Sequence, residues 1–400
     1  MPAAGDPNLI APNLAQLAKE SVDFRRAYTS YPVCCPSRAA MLTGKFPRAA
    51  GVTKNHTLLP LLNKTLPEAL KGAGYRTGFI GKWHLDGREN PGFVPQSRRR
   101  GFDYWAAYNI SHKQFDSVYF RDSPTPVEIH GFEPTHLTNL AIDFIQQAST
   151  QPFYLYLSWV APHPPLTPPP SRIIYDPGQI QLRPNVPLDQ AGSVKNQLAG
   201  YYGLCTAVDE NLGRLLAALA QIGLAENTIV VFTSDHGYAI GSHGLDEIDQ
   251  PYEECTRIPL LFRYPARLKP RVESDALISN IDFAPTLLGL CGMASLPGMQ
   301  GLNLASWMTG GHGSAHKSVY AEGDVGTSGE WKMVVSGQYK LVANSTLEPT
   351  HFYDLNTDPY ETNNLAAKNS YQPQRKQLLK LLTGYSTRNA RIGATWNAAM

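Results

Sequence analysis

The chain has 400 residues, of which 42% are hydrophobic and 17% charged, enough apolar material for one large domain and a smaller one. Its formal net charge of +2 gives no electrostatic reason to expect binding to nucleic acid or to an anionic membrane surface. No apolar stretch is long enough to span a bilayer, and residues 1–7 lack the apolar run of a signal peptide. Five scattered cysteines are too few for a disulfide framework or a zinc cluster.

In chain order, the predicted elements alternate between amphipathic helices and short apolar strands. Helices are predicted at 12–21, 66–71, 135–148 and 194–222, and strands at 77–80, 153–160 and 228–233. This alternation indicates an α/β fold with a mostly parallel sheet covered by helices on both faces. Further on, strands at 331–335 and 339–343 are predicted to form a hairpin, followed by a helix at 371–382. We therefore expect a larger domain over residues 1–310 and a small antiparallel C-terminal domain over 311–400.

The segment from Cys34 to Arg38 places a thiol at the start of a predicted helix that runs to Leu42. Pro36 and Ser37 are predicted to be its first residues, so Cys34 would lie just before its amino end. Unpaired N–H groups and the helix dipole would polarise the thiol there and attract an anion. A cysteine at a helix start is nevertheless more often a small buried hydrophobe than a nucleophile.

Residues capable of chemistry follow three of the predicted strands. Lys82 and His84 follow the first strand, His163 the second, and Asp235 with His236 the third. Open α/β sheets bind ligands at the edge where parallel strands end. The structural alternatives are a solvent-facing lysine and a histidine braced by the prolines around it. The repeated placement after strands favours a shared site.

The pattern Cys-x-Pro-Ser-Arg, followed by Leu-Thr-Gly, resembles the signature of the type I, formylglycine-dependent sulfatases of the alkaline-phosphatase-like superfamily. Gly-Lys-Trp-His-Leu, beginning at Gly81, resembles the second signature of that family. The resemblance covers residues 8–365. It implies that a formylglycine-generating enzyme oxidises Cys34 to an aldehyde, whose hydrate attacks sulfur with one hydroxyl and later expels sulfate by re-forming the carbonyl. We therefore expect hydrolysis of an aryl sulfate or a sulfated carbohydrate.

The resemblance also implies roles for the other residues of the two signatures. Arg38 would hold the formylglycine region, and Lys82 and His84 would contact the sulfate end of the substrate. His163 would contact sulfate or protonate the departing alcohol, a task that suits a side chain titrating near neutral pH.

A divalent metal ion is implied at Asp235 and His236. Calcium is expected from the family, and manganese or another divalent ion would suit the histidine better. His243 is interpreted as structural. Polar substrate contacts are expected from Asn109, Ser111 and His112.

Two departures from the family pattern leave alternatives open. Sulfatases normally begin with an apolar strand that ends in two aspartates, and here the usual first strand is expected to be missing, with Asp6 the one carboxylate ahead of the first helix. Ile248 also stands where the family often has a lysine. Either the sequence starts inside a longer reading frame or the shortened chain is the real product.

Three functions remain open on this pattern. The first is a sulfatase, the second a phosphonate monoester or phosphodiester hydrolase on the same scaffold, and the third a catalytically inactive sulfatase-like binding protein. The family resemblance would suit a periplasmic or secreted protein, whereas the sequence itself assigns no compartment and no oligomeric state.

Overall fold

The computed structural model describes residues 6–87 and 92–397. The strands in these residues are β1 Val22–Tyr28, β2 Arg76–Lys82, β3 Tyr104–Tyr108, β4 Val118–Tyr119, β5 Val127–Glu128, β6 Phe153–Ser158, β7 Val230–Thr233, β8 Arg257–Ile258, β9 Leu260–Arg263, β10 Arg271–Ser279, β11 Ser318–Gly323, β12 Trp331–Ser336, β13 Tyr339–Asn344 and β14 Pro349–Asp354. The α-helices are α1 Pro12–Lys19, α2 Cys34–Thr43, α3 Pro47–Ala50, α4 Leu66–Gly72, α5 Glu133–Gln147, α6 Ala191–Gln221, α7 Glu253–Thr256, α8 Phe283–Leu290, α9 Ala305–Met308 and α10 Gln372–Asn397. Residues 1–5, which belong to the segment tested for a signal peptide, lie outside the described part.

Helix α2 begins earlier than predicted. Val33 is its extended N-cap residue, with φ −139° and ψ 144°, so Cys34 is the first helical residue. Pro36 does not mark the start, because the first N–H groups of a helix have no intrahelical partner and a proline fits anywhere in that turn. Cys34 is therefore part of the helix amino terminus.

The larger part of the chain contains a mixed sheet and a parallel sheet. The mixed sheet has the strand order β10-β1-β9-β7, with β8 also paired to β1. Strands β1 and β10 are parallel and β9 is antiparallel to both β1 and β7, so β7 runs in the direction of β1. The second sheet, β3-β2-β6, is entirely parallel. The α/β class predicted from the sequence is confirmed.

Two groups of helices cover the strands. Phe153 and Leu155 of β6 pack with helices α5 and α6, whereas Tyr154, between them in the sequence, packs with α4 and α8. Since successive side chains of a strand point to opposite faces, these contacts place the two helix groups on opposite sides of the sheet.

Strands β6 and β7 line a deep slot in the middle of the larger part. In the described residues β6 is hydrogen-bonded only to β2, and β7 only to β9. The slot belongs to a cavity of about 1520 Å³, and most residues of both strands are only partly buried.

The C-terminal part is a four-stranded antiparallel sheet in the order β11-β12-β13-β14. The predicted hairpin is β12 and β13, closed by the pairing of Ser336 with Tyr339. Helix α10 packs against β12 and β13 and contributes Leu378 and Leu382 to their core. We propose that this sheet and helix form the small domain over residues 311–400. No helix in the described ranges is long and apolar enough to cross a membrane.

Candidate active site

Cys34 lies at the amino end of α2, buried among polar groups. Its Sγ is 3.4 Å from Nε2 of His236 and 3.8 Å from Nζ of Lys82. Burial raises the pKa of the Cys34 thiol, but the charges of Lys82 and His236 outweigh burial and lower it to about 7. The neighbouring Cys35 donates its thiol to the His84 carbonyl at 2.7 Å, and burial raises its pKa to about 12. Of the two adjacent cysteines, Cys34 is therefore the candidate nucleophile.

Arg38 connects α2 to the ends of three strands. Its Nε and one terminal nitrogen each lie 3.0 Å from Oδ2 of Asp235, just after β7. The other terminal nitrogen donates to the Lys82 carbonyl at 2.6 Å and to Oγ of Ser158, at the end of β6, at 2.8 Å. Burial raises the pKa of Asp235, but the charges of His236 and Arg38 hold it well below its usual range. Asp235 is therefore ionised and fixed in orientation.

A glycine allows the close approach of β2 and β6 beneath this site. Gly81 has φ +101°, and a Cβ at this position would lie 2.1 Å from the carbonyl oxygen of Ser158. A side chain at residue 81 would therefore separate the two strands and move Lys82 away from Cys34.

His236 is held by two contacts. Its Nδ1 lies 2.7 Å from the Gly237 carbonyl, and its Nε2 faces the Cys34 sulfur. Burial lowers the pKa of His236, but the charges of Asp235 and Cys34 raise it to about 9. The charge of Asp235 therefore favours the imidazolium form, which can donate through one nitrogen to Gly237 and through the other to Cys34.

His163 reaches the same cavity from the loop after β6. Its Nδ1 lies 2.6 Å from the Pro164 carbonyl, and burial is the main cause that lowers its pKa to about 4. The neutral ring therefore donates through Nδ1 and keeps an acceptor at Nε2. The His112 ring stacks on it with centroids 4.0 Å apart, and the pKa of His112 is also about 4, mainly through burial.

Gln114, whose side chain is only 2% exposed, holds the loop that carries His163. Its side-chain amide donates to the carbonyls of His163 and Pro165, the second at 3.0 Å. Sequence reasoning missed Gln114, because a single glutamine in a loop carries no periodic or motif signal. It also missed Ser158, although a serine that ends an apolar strand could have been singled out.

Four of the residues predicted to contact substrate, His84, Asn109, Ser111 and His112, do not line this cavity in the described structure. His84 is 2% exposed, and burial is the main cause that lowers its pKa to about 2, so it is neutral. Its backbone N–H donates to the Asn109 carbonyl at 2.6 Å, and Oδ1 of Asn109 accepts the N–H of Asp86 at 3.1 Å. Ser111 accepts the N–H of Lys113 at 3.1 Å. These contacts organise the backbone after β2, and a direct contact of these side chains with substrate stays a prediction.

The structure describes the surroundings of both departures from the family pattern, and Asp6 lines the large cavity. Oδ1 of Asp6 accepts the N–H groups of Asn8 and Leu9 at 3.0 and 3.2 Å, so this carboxylate supports a turn. Next to Ile248, the N–H of Asp249 donates to the Pro32 carbonyl at 3.2 Å. Burial and a neighbouring carboxylate raise the pKa of Asp249 to about 7.

His243 lies in a different group from Cys34. It stacks on Tyr252 with centroids 3.8 Å apart, and its Nε2 lies 3.6 Å from Oε2 of Glu254. Asn185 contacts both His243 and Glu254. This network joins loops around α7, and the structural role of His243 stays a prediction.

Comparison with known proteins matches the chain to two sequence-family models. Residues 1–293 match the model described as Sulfatase, and residues 241–388 match the model described as N-sulphoglucosamine sulphohydrolase, C-terminal. The two matches together span both the α/β part and the C-terminal sheet.

Individual relatives extend over nearly the whole chain. The ulvan-active sulfatase of Formosa agariphila is 34% identical over 94% of this chain and 76% of its own length. A solved structure of a Bacteroides fragilis protein described as a sulfatase has a TM-score of 0.90 at 27% identity, covering 98% of this chain and 94% of that one. Another structure, solved with its substrate D-glucosamine-2-N,6-O-disulfate, has a TM-score of 0.85 at 26% identity, covering 98% and 95%.

Proposed function

This chain belongs to the sulfatase family and is a sulfuric ester hydrolase, and we propose that it removes sulfate from carbohydrates with a formylglycine made from Cys34. The observation that carries this proposal is the environment of Cys34. Its sulfur lies at a helix amino end, 3.4 Å from the His236 imidazolium and 3.8 Å from the Lys82 ammonium. An anionic ester group would be attracted to this position.

The Cys34 sulfur stands where the oxygens of the hydrated aldehyde would be after maturation. One hydroxyl of the hydrate attacks the sulfate sulfur, the bond from sulfur to the ester oxygen breaks, and the alcohol leaves with a proton. The second hydroxyl then loses its proton and re-forms the carbonyl, which breaks the bond from the formylglycine carbon to the sulfated oxygen and releases inorganic sulfate. The formylglycine is thereby regenerated.

Charge on the sulfate oxygens is offset by Lys82 and His236, together with the N–H groups at the start of α2. Arg38 contributes differently, because its charge is already paired with Asp235. We infer that Arg38 positions the ends of β2, β6 and β7 around the nucleophile.

His163 is the candidate proton donor to the departing alcohol. In the free protein it is neutral, since its pKa is lowered to about 4 by burial and by Lys82. A bound sulfate ester brings negative charge to the cavity, which favours the protonated ring and raises its pKa. The histidine would thus acquire its proton when substrate is bound.

Members of the sulfatase family generally use a metal ion, and Cys34, Asp235 and His236 offer ligand atoms within 4.8 Å of one another. Calcium takes about six to eight oxygen ligands. This group contains one carboxylate, whose Oδ2 is bound by Arg38 while Oδ1 accepts the His236 N–H at 3.0 Å. This group therefore does not form a calcium site by itself, and we assign no step to a metal.

The carbohydrate substrate is proposed from two comparisons already given, the ulvan-active sulfatase and the structure solved with a disulfated glucosamine. Maturation of Cys34 would require a formylglycine-generating enzyme as a partner. The incomplete set of metal ligands specifically favours a second candidate, a sulfatase-like protein that binds sulfate esters without turning them over.

The test is sulfate release from a panel of sulfated monosaccharides and an aryl sulfate, by protein produced with a formylglycine-generating enzyme. Conversion at Cys34 is checked by mass, and Cys34→Ala is compared with the matched variant Cys35→Ala. We expect release that is lost in Cys34→Ala and kept in Cys35→Ala. Binding of sulfated sugars without release, by fully converted protein, would instead support the binding protein. Faster cleavage of a matched phosphonate ester would overturn the proposed substrate class.

A further inference from the structure

Glu133 is a buried acid beside the active site. It is the first residue of α5 and is fully buried. Its Oε1 accepts the hydroxyl of Tyr108, whereas Oε2 is buried and has no hydrogen-bond partner in the part of the chain that the structure describes. An ionised carboxylate is costly to bury when one of its oxygens is left unsatisfied. The position therefore favours the neutral acid.

The contact with Tyr108 lies at the end of β3, next to Lys82. Tyr108 is also fully buried, and it is the residue of β3 that pairs with Lys82 of β2. One residue after Lys82, the N–H of Trp83 donates to the Tyr108 carbonyl at 2.9 Å. The Glu133 carboxyl group therefore holds the part of the sheet from which the Lys82 ammonium reaches Cys34.

The main chain fixes the place from which this carboxyl group acts. The N–H of Glu133 donates to the Gln114 carbonyl at 2.8 Å. The side-chain amide of Gln114 in turn donates to the carbonyls of His163 and Pro165. Glu133 thus connects the end of β3 to the loop that carries His163.

The charge of Glu133 is coupled to the charge of Lys82. Burial is the main cause that raises the pKa of Glu133 to about 8, while Tyr108, the nearby N–H of Val160 and the Lys82 ammonium act in the opposite direction. Glu133 is therefore mostly neutral at pH 7 and ionises in mildly alkaline solution. An ionised Glu133 would offset part of the Lys82 charge that attracts an anion.

The other groups around Glu133 do not carry a competing charge. Burial raises the pKa of Tyr108 on β3 well above its ordinary value of 10, and burial lowers the pKa of His163 to about 4. Gln114, before α5, does not ionise. Among the described residues, Lys82 on β2 is the charged side chain that acts on Glu133.

We propose that Glu133 is a positioning residue of the sulfate site, whose neutral buried carboxyl group holds Tyr108 at the end of β3 and leaves the Lys82 charge to attract the ester. Glu133 acts through these two residues and not by contact with substrate. Its ionisation weakens the binding of anions. This inference rests on the proposed function, in which Lys82 offsets charge on the sulfate oxygens.

The experiment measures how inorganic sulfate protects Cys34 from iodoacetamide in the intact, unconverted chain. Alkylation of Cys34 is followed by mass at pH 7 and pH 9, and the sulfate concentration that halves its rate gives the affinity of the site for the anion. Between these pH values, the affinity of the wild type should fall about threefold more than that of Glu133→Gln, whose amide stays neutral. The matched control Asp143→Asn, at an exposed position of α5, should behave as the wild type.

A second comparison separates the contact with Tyr108 from the charge. At pH 7, Glu133→Gln should bind sulfate as the wild type does, because the amide oxygen can still accept the Tyr108 hydroxyl. Glu133→Leu removes this acceptor and should weaken sulfate binding about threefold. Folding of each variant is checked by circular dichroism. If Glu133→Leu does not fold, the pH comparison between the wild type and Glu133→Gln still decides.

Three results would overturn the proposal. An equal pH dependence in the wild type and Glu133→Gln would mean that the charge of Glu133 does not act on the site. Unchanged affinity at pH 7 in folded Glu133→Leu would mean that the contact with Tyr108 does not position the site, and no protection of the wild type by sulfate would remove the anion position itself. Because protection is measured without turnover, failure of this inference is distinguishable from failure of the proposed hydrolysis.

Discussion

Lys340 gives the sharpest test of how the C-terminal sheet is joined to the rest of the molecule. Its side chain is fully buried on β13, with Nζ 2.8 Å from Oε1 of Glu361 and 3.2 Å from Oε1 of Glu253. Oε2 of Glu361 also accepts the Glu253 N–H at 2.7 Å, which ties α7 to the C-terminal part. The lysine charge compensates two carboxylates that have little access to water.

Replacing this lysine by methionine keeps most of the apolar side chain and removes the charge. Breaking a buried ion pair by removing one partner costs about 3–5 kcal/mol, because the remaining charge is left uncompensated. We therefore expect Lys340→Met to lower the free energy of unfolding at pH 8 by that amount. Removing one of the two carboxylates as well, in Lys340→Met/Glu361→Gln, should recover part of the loss.

The loss of unfolding free energy in Lys340→Met should be larger at high pH than at low pH. Burial raises the pKa of Glu361 to about 7, above its ordinary value of 4.5. The folded state then binds the proton more tightly than the unfolded state, so the contribution of Glu361 is fully present below pH 4.5 and is lost as pH rises through 7. Without Lys340 this pKa rises further, and the deficit of Lys340→Met should be smaller at pH 5 than at pH 8.

The assay is urea unfolding followed by tryptophan fluorescence at both pH values, with Lys332→Met as the matched control. Lys332 contacts Glu330 at 2.5 Å, but Glu330 is also paired with Arg48 at 2.7 Å and stays compensated. The control should therefore lower the free energy of unfolding by less than Lys340→Met does. An equal cost for Lys340→Met and Lys332→Met would refute the reasoning.

Three further predictions concern the active site. In Arg38→Lys, a single ammonium cannot contact both Asp235 and Ser158, so kcat/KM of the matured enzyme should fall about 100-fold. A fall of less than threefold, in a variant whose folding is checked by circular dichroism, would contradict the positioning role. In unconverted protein, the rate of Cys34 alkylation by iodoacetamide should be half-maximal near pH 7, since neighbouring charges lower the thiol pKa to about 7 against the effect of burial. His236→Asn should move the midpoint of this pH profile upward. A wild-type midpoint near pH 9 would show that the charges do not act on the thiol. Gln114→Met removes the hydrogen-bond donors that hold the His163 loop and should lower kcat about tenfold. The control Lys113→Met, at an exposed neighbouring position, should leave kcat unchanged. Equal values of kcat in both variants would show that Gln114 does not position His163.

Local sequence pattern was enough for the α/β architecture and for the helices and strands around the site. The predicted strands at 77–80 and 153–160 lie within two residues of β2 and β6 at each end, because continuous apolar runs are local signals. The sequence also predicted that residues following the strands lie close together. This is the case for Lys82, His163 and Asp235, because parallel strands end at one edge of a sheet. The start of α2 was misplaced by two residues, since a proline is compatible with several positions in the first turn.

The amino-acid sequence by itself thus determined the class of fold, the family, and the position of the candidate nucleophile next to a helix start. Only the tertiary structure decided which groups are charged. Burial raises the pKa of both adjacent thiols, to about 12 for Cys35, but the charges of Lys82 and His236 act on Cys34 and lower its pKa to about 7. Such differences depend on contacts between residues far apart in the chain, as in the pairing of Arg38 with Asp235, 197 positions away. Burial and Coulomb interactions act through space, and no local sequence pattern records them.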